Sequence, residues 1–417
     1  MEIRDPVHGF VHLSEAERAI VDSKPFQRLR NIRQLGMSYY VYPSAVHTRF
    51  EHSIGTMHVA NQIFDVLDRK HGKYFDRFLS ITGEDDPRKR LRKTLRLAAL
   101  LHDIGHAPFS HATEDLFPKN MSHEEISAEI VRTELESIFR RKEIERSGIK
   151  LDDVIFLIYP EMVSELSDED AQAFYLLRGI ISGDIDADRI DYLTRDSHHT
   201  GVIYGKFDYI RLIDTITIVP FAGETTEAGQ ELDNLRPETP EPRIGVEYGG
   251  LHTIEGLLLA RYFMFLQVYF HHVRRIYDLM LTDFLKYSLP EGHYPADIDE
   301  YLKYDDVRVL TMIREEAEKG SCKEAKVLAR RLLSRKHPKS IFEENKPILR
   351  IEEFEKELKG ALQKKFNKLD PSALSNNPQL NFPIHSNNSP SAENSPQRIV
   401  YPHLRCNLLN HVILLPC

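Results

Sequence analysis

The run from Leu91 to Leu101 spaces apolar residues helically, at Leu91, Leu95 and Leu97-Ala-Ala-Leu-Leu101, and opens directly onto His102-Asp-Ile-Gly-His-Ala-Pro-Phe-Ser-His111. Three imidazoles and one carboxylate within ten residues, at the end of a core helix, are hard to explain by packing alone. Neighbouring residues on an α-helix point about 100° apart, so His102 and Asp103 share one small cation only in the groove between their faces. Such a pair needs partners from elsewhere in the chain. The candidates are His52, in Arg49-Phe-Glu-His-Ser-Ile-Gly55, and Asp188, in Gly183-Asp-Ile-Asp-Ala-Asp-Arg-Ile-Asp-Tyr192. Gly105 and Pro108 break the helix and leave His106 and His111 on the turn and the next helix start.

Further helical spacing runs through Ile54, Met57, Val59-Ala60, Ile63 and Val66-Leu67. It returns over Glu124 to Ile144, Ala171 to Ile181, Ala187 to Arg195, Leu251 to Tyr287 and Val307 to Glu318. β-Branched residues cluster from Thr215 to Phe221, with a partner strand expected at Arg243 to Tyr248 and a polar loop over Gly223 to Pro242. The expected fold is mainly α, a helical core with a small β element and a less regular C-terminal region. Its expected divisions are a core over 1–320, an α or mixed element over 321–369 that includes Glu343 to Leu362, and a flexible low-complexity tail over 370–417. Asn, Ser and Pro crowd Asp370 to Gln397, a composition that cannot bury enough apolar surface to order itself. The closing Val412 to Cys417 is apolar but far too short to span a bilayer.

With 417 residues, 41% of them hydrophobic and 29% charged, the chain has the composition of a globular protein with a sizeable core. No stretch approaches the roughly 18 apolar residues of a membrane span. The charged opening, Glu2, Arg4 and Asp5, gives no secretory pattern, and the three cysteines lack paired spacing, so a cytoplasmic setting is expected. A net charge of −9 argues against nucleic-acid binding as the main role. The run Arg88-Lys-Arg-Leu-Arg-Lys93 reads as a solvated helix face, its field lowered by Glu84-Asp-Asp86. Arg28, Arg30, Arg33 and Arg49 concentrate positive charge as a polyphosphate substrate requires, although Arg alternating with Leu over Phe26 to Leu35 also describes an amphipathic helix.

The order His52, His102-Asp103, Asp188 resembles the signature of HD-superfamily metal-dependent phosphohydrolases. A narrower resemblance is to the SAM-and-HD-domain deoxynucleoside triphosphate triphosphohydrolases and their prokaryotic relatives. It runs through Asp5-Pro-Val-His-Gly9, Phe26-Gln-Arg-Leu-Arg-Asn-Ile-Arg-Gln-Leu-Gly36, Tyr39-Tyr-Val-Tyr-Pro43, Arg49-Phe-Glu-His-Ser53 and Asp188-Arg-Ile-Asp-Tyr-Leu-Thr-Arg-Asp-Ser-His-His-Thr-Gly201, and more weakly to about residue 290.

The resemblance implies a metal held by His52, His102, Asp103 and Asp188, an N/O set suited to Fe, Mn, Zn or Ni, with Mg²⁺ accompanying the substrate's phosphates. It implies catalysis by His106, His111 and His123 with Glu114: His111 as the acid, oriented by Glu114 or His123, and His106 beside the α-phosphate. The segment between His111 and His123 is shorter than in the family's animal members. For substrate it implies Arg49 and Arg189 on phosphate oxygens, Tyr192 on the deoxyribose, Gln34 and Asp196 on the 3′-hydroxyl, and Arg261 and Tyr269 as later contacts. Those relatives carry Lys at the position of Arg189. Asp22, Gln27 and Arg30 match positions that recognise an activating guanine nucleotide, GTP or dGTP, between subunits of a homo-dimer or homo-tetramer; other residues of such a site do not transfer. The implied reaction takes a deoxynucleoside triphosphate and water to deoxynucleoside and triphosphate. The metal ligands alone equally suit a phosphatase or phosphodiesterase, and a non-catalytic nucleotide-sensing regulator is the rival from another class.

Overall fold

The computed structural model describes residues 1–76, 87–118, 121–145, 148–163, 168–220, 242–340 and 414–415. It divides into two compact units, Met1–Arg335 and Lys336–Cys417. In the first, an antiparallel hairpin of β1 (Glu2–Asp5) and β2 (Gly9–His12) precedes α1 (Glu15–Val21) and α2 (Lys24–Arg28). Ser14 and Glu17 cap α1 reciprocally. The long α3 (Arg49–Asp76) buries Ile54, Met57, Val59, Ala60, Ile63, Phe64, Val66 and Leu67, the face its spacing called for. It packs against α4 (Pro87–Leu101), whose Leu91, Leu95 and Leu97 to Leu101 are all buried.

The expected helix over Glu124 to Ile144 is instead three: α5 (His123–Thr133), α6 (Glu136–Phe139) and α7 (Lys142–Glu145). α8 (Leu151–Ile158) and α9 (Asp168–Ile181) cover α4, and α10 (Ala187–Thr200) lies on α3. Asp186 caps α10 by accepting from the Arg189 backbone N–H, and Gly201, at φ 76°, ends it. After α11 (Tyr209–Thr215), β3 (Ile216–Pro220) and β4 (Pro242–Val246) pair antiparallel, Ile216 opposite Val246. The expected small β element is therefore present; the loop between its strands lies outside the described residues apart from Pro242. The expected helix over Leu251 to Tyr287 is α12 (Leu251–Met264), a π-helical turn over Phe265–Tyr269, and α13 (His272–Ser288). α14 (Ile298–Tyr301), α15 (Asp306–Lys319) and α16 (Lys323–Leu333) complete the unit, α16 packing on α13 and α15.

One local expectation gives way, and one element was not expected. Phe26 to Leu35 is not one helix: α2 stops at Arg28, a 3₁₀ turn spans Leu29–Asn31, and Arg33 bridges to Thr48 in extended backbone. The N-terminal hairpin carries too few residues for its alternation to stand out in the sequence.

In the second unit, β5 (Lys339–Ser340) pairs antiparallel with β6 (Leu414–Leu415). The expected element at Glu343 to Leu362, the polar tail Asp370 to Gln397 and Glu84-Asp-Asp86 lie outside the described residues. Among the described residues no helix is long and apolar enough to cross a membrane.

Candidate active site

α4 ends at Leu101, so His102 and Asp103 stand in the turn beyond it, where successive side chains are freed from helical spacing. Packing of α3 on α4 and of α10 on α3 then brings His52 and Asp188 to them. His52 Nε2 lies 2.9 Å from Asp188 Oδ1 and 3.4 Å from Asp103 Oδ2. His102 Nε2 lies 3.4 Å from Asp103 Oδ1 and 3.7 Å from Asp188 Oδ1.

Hydrogen bonds on the far sides of the two rings fix their tautomers. His102 Nδ1 is 2.8 Å from the Ala99 carbonyl, which can only accept, so Nδ1 carries the hydrogen. His52 Nδ1 is 2.8 Å from Asp191 Oδ2. Burial would raise the Asp191 carboxyl, but Arg195, His52 and His8 outweigh it and hold it well below the usual range, so it also accepts. Both Nε2 atoms thus face inward, are buried, and make no hydrogen bond. Each is directed at carboxylate oxygens, and lone pairs facing lone pairs require a positive charge between them, a proton or a metal ion. Desolvation opposes charge on His52, yet Asp103, Asp188 and Asp191 raise its pKa well above 6.5. Ligand atoms of His52, His102 and Asp103 lie within 4.8 Å of one another. Two imidazoles with outer acceptors on Nδ1, plus two carboxylates, fit a divalent transition metal.

Asp103 is buried, and Arg49 forms an ion pair with its Oδ2. Burial pushes the Asp103 carboxyl up, but Arg49, His102 and His106 dominate and hold it well below the carboxylate range. Arg49 Nε also donates to Ser110 Oγ at 2.7 Å.

A second cluster abuts the first. His106 Nε2 is 3.2 Å from Asp103 Oδ1, and its Nδ1 is 3.2 Å from Glu114 Oε1. His123 Nδ1 lies 2.9 Å from the same Oε1, and His111 Nδ1 donates to Oε2 at 2.8 Å. His106 stacks on His123 with ring centroids 4.0 Å apart. Burial, with Arg49 and His123, lowers the pKa of His106 to about 4, so its ring is neutral near pH 7. Burial lowers that of His123 too, but Glu114 outweighs it and the net shift is upward. Burial also works against the Glu114 carboxylate; the three histidines prevail and keep it ionised. The turn is held open by backbone that costs energy: Phe109 and Ser110 both have positive φ, 61° and 57°. Asp306 accepts from the Phe109 N–H at 2.7 Å, and Gly105 packs so tightly on α5 that a Cβ would come 2.4 Å from the Ser127 nitrogen.

The model of the HD domain matches residues 49–196, which span this whole centre, and that of the HD associated region matches 238–365. The chain belongs to the HD superfamily. It is 36% identical over 312 residues to an uncharacterized protein of Methanocaldococcus jannaschii, covering 75% of this chain and 54% of that one. It is 32% identical over 305 residues to the deoxynucleoside triphosphate triphosphohydrolase SAMHD1 of Homo sapiens, covering 68% and 44%. The crystal structure of a hypothetical protein from Aquifex aeolicus matches with a TM-score of 0.65 and 31% identity, over 89% of this chain and 83% of that one. The chain spans about half the length of these curated relatives.

Around the HD centre, the other expected site residues fall into three groups. Asp196, about one turn beyond Tyr192 on α10, takes His47 Nε2 at 2.7 Å and the Tyr269 hydroxyl at 2.7 Å. Tyr192 and Tyr269 meet edge to face at 6.1 Å, and Arg261 carries the field that opposes the upward shift of the Tyr192 phenol, which burial and Asp188 cause. Gln34, buried, is tied to this group through its backbone bond to the His47 carbonyl, and its Oε1 has no hydrogen-bond partner. These five residues are thus brought together, whereas Arg189 is turned onto the Asp184 carbonyl at 2.7 Å. Gln27 Oε1 accepts from Arg30 Nε at 2.9 Å, and Gln27 Nε2 donates to the Val21 carbonyl beside Asp22; Asp22 and Arg30 are exposed and Gln27 is half-buried.

The expected arginine cluster does not assemble on the metal ligands. Arg28 is buried against the Tyr304, Ile104 and His106 carbonyls, Arg30 lies over Phe50, and Arg33 lies over Tyr39; only Arg49 of the four pairs with a metal-ligand carboxylate. Sequence reasoning missed Asp191, although its place three residues after Asp188 puts it on the same helical side. It also missed His47 and Asp306, for which no local pattern existed.

Proposed function

We propose that this HD-domain protein is a metal-dependent dNTP triphosphohydrolase that converts dNTP and water to deoxynucleoside and triphosphate. The observation that carries the reading is His106, whose two nitrogens sit 3.2 Å from Asp103 and 3.2 Å from Glu114, joining the metal ligands to the His111–Glu114 pair. The likeness to the human triphosphohydrolase supports the choice of substrate.

His52, His102, Asp103 and Asp188 would hold a divalent Fe, Mn, Zn or Ni ion, which would supply Lewis acidity for the displacement of O5′ by water; Mg²⁺ would accompany the substrate's phosphates. Arg49, beside Asp103, holds a phosphate oxygen. Glu114 fixes the exposed His111 ring through Nδ1, so Nε2 is the nitrogen that gives a proton to O5′ as its bond to the α-phosphorus breaks. The neutral His106 sits beside the α-phosphate. Tyr192 packs on the deoxyribose, where its ring leaves no room for a 2′-hydroxyl, while Gln34 and Asp196 take the 3′-hydroxyl. Arg189 swings from the Asp184 carbonyl to reach phosphate, and Arg261 and Tyr269 close the pocket.

Asp22, Gln27 and Arg30 read the guanine of GTP or dGTP at a subunit contact, Asp accepting from N1 and N2 and Arg donating to O6. The protein acts in the cytoplasm as a dimer or tetramer. Asp103→Ala abolishes dNTP hydrolysis, and Arg30→Ala abolishes stimulation by GTP while leaving basal turnover. Nucleotide binding by a wild type that hydrolyses nothing, and binding that persists in Asp103→Ala, would replace this reading with that of a regulator.

A further inference from the structure

The turn Asp5-Pro-Val-His-Gly9, which joins β1 to β2, reaches the back of the metal centre. Asp5 Oδ1 accepts from the Val7 and His8 N–H groups, both at 2.8 Å, and so rigidifies the turn; Gly9 closes it at φ 78°. The other oxygen, Oδ2, accepts from Arg195 Nη1 at 2.8 Å. Arg195 grips Asp191 with two more donors, Nε at 2.8 Å and Nη2 at 2.9 Å. His8 Nε2 adds a contact of 2.6 Å to Asp191 Oδ1, with the two side chains 1% and 0% exposed. Asp191 is the acceptor that orients His52. Gly55, one turn along α3 from His52, leaves room for the pair: a Cβ there would come 2.0 Å from Asp191 Oδ1 and 2.3 Å from Arg195 Nη2.

We propose that this N-terminal turn is an outer clamp that sets how tightly the metal is held, with His8 and Asp5 acting through Asp191 and Arg195 on the orientation of His52. Four donors converge on the Asp191 carboxylate, two from Arg195 and one each from His8 and His52. Remove the His8 donor and the carboxylate can rotate toward Arg195, which slackens its hold on His52 Nδ1–H. Outer partners of metal-bound histidines affect affinity by about 10- to 100-fold. A purely structural hairpin would instead affect stability and leave metal binding alone. His8 is thus a positioning residue, 183 positions from the carboxylate it holds.

The proposal rests on the metal reading of His52 and is independent of the substrate. Mn²⁺ titration of the full chain, with free Mn²⁺ followed by paramagnetic resonance, tests it in wild type, His8→Ala and His8→Gln, alongside the melting temperature without metal. The expected result is a Kd about 10- to 100-fold weaker in His8→Ala, with partial recovery in His8→Gln, whose amide keeps a donor. If His8→Ala does not fold, Asp5→Asn, which retains an acceptor for the turn, takes its place with the same expected weakening. A variant that melts lower but binds Mn²⁺ as wild type does overturns the clamp alone. A wild type that binds no Mn²⁺ overturns it together with the metal reading.

Discussion

The Tyr269 hydroxyl donates to Asp196 Oδ2 at 2.7 Å, joining the π-helical turn after α12 to the helix that carries Asp188. Asp196 Oδ1 faces His47, so one buried carboxylate, proposed above to take the 3′-hydroxyl, is held from two sides. Tyr269→Phe removes one of these holds and leaves the other. A hydrogen bond to a charged group contributes about 1.5–3 kcal/mol, so kcat/KM for dNTP falls by about tenfold or more, mostly through KM. The measurement is steady-state kinetics against dNTP and its 3′-deoxy analogue; the variant discriminates less between the two.

Glu114 separates the roles of the two clusters. Glu114→Gln keeps the shape but loses the charge that fixes the His111 and His123 rings, so kcat falls by about 100-fold, at the low end of what a positioned acid contributes. Metal content, measured by elemental analysis, stays at the wild-type level because no metal ligand has changed. Loss of metal in this variant would place Glu114 among the ligands.

Arg49 and Asp103 form a buried ion pair whose separation leaves a carboxylate uncompensated. Breaking such a pair from one side costs about 3–5 kcal/mol. Arg49→Ala therefore melts well below wild type without metal, and added Mn²⁺ recovers part of the loss because the ion supplies the missing positive charge. Melting curves with and without Mn²⁺ check this; an equal deficit in both conditions would mean that Asp103 does not reach the metal.

Asp306 gives a pH signature. Burial pushes its carboxyl up to about 7, against the bonds it accepts from Phe109 and Arg33. A carboxyl raised in the folded state contributes stability that is fully present below its unfolded value near 3.8 and is lost as pH rises through about 7. Asp306→Asn cannot accept on both sides, so it is less stable than wild type in acid by about 1–3 kcal/mol. The difference in melting temperature is largest near pH 4 and narrows toward pH 7. A constant difference would remove the raised carboxyl.

Much of this centre was legible because its chemistry is local in sequence. Leu91 to Leu101 fixed a core helix by spacing, and His102-Asp103 had to lie at its end. His52 and Asp188 followed from motif order, and the packing of α3 and α10 supplied the contact. What escaped was long-range and conformational. Arg28 belongs by charge to the expected phosphate-facing cluster, yet its guanidinium is spent on the backbone carbonyls of Ile104 and His106, in the turn after α4, and of Tyr304. The positive φ of Phe109 and Ser110 carries no compositional mark, since neither is glycine, and the acceptor that stabilises that turn comes from Asp306, almost 200 residues on. The Leu251 to Tyr287 pattern was helical throughout because a π turn changes register without changing hydrophobicity, and that turn is what aims Tyr269 at Asp196.

The most direct test of the central claim is mass-resolved analysis of the products formed by purified protein from each dNTP, with and without GTP, in Mn²⁺ and in Mg²⁺. The account predicts deoxynucleoside together with intact triphosphate, and no diphosphate intermediate. Stepwise release of phosphate, or no turnover of any dNTP in either metal, would contradict it.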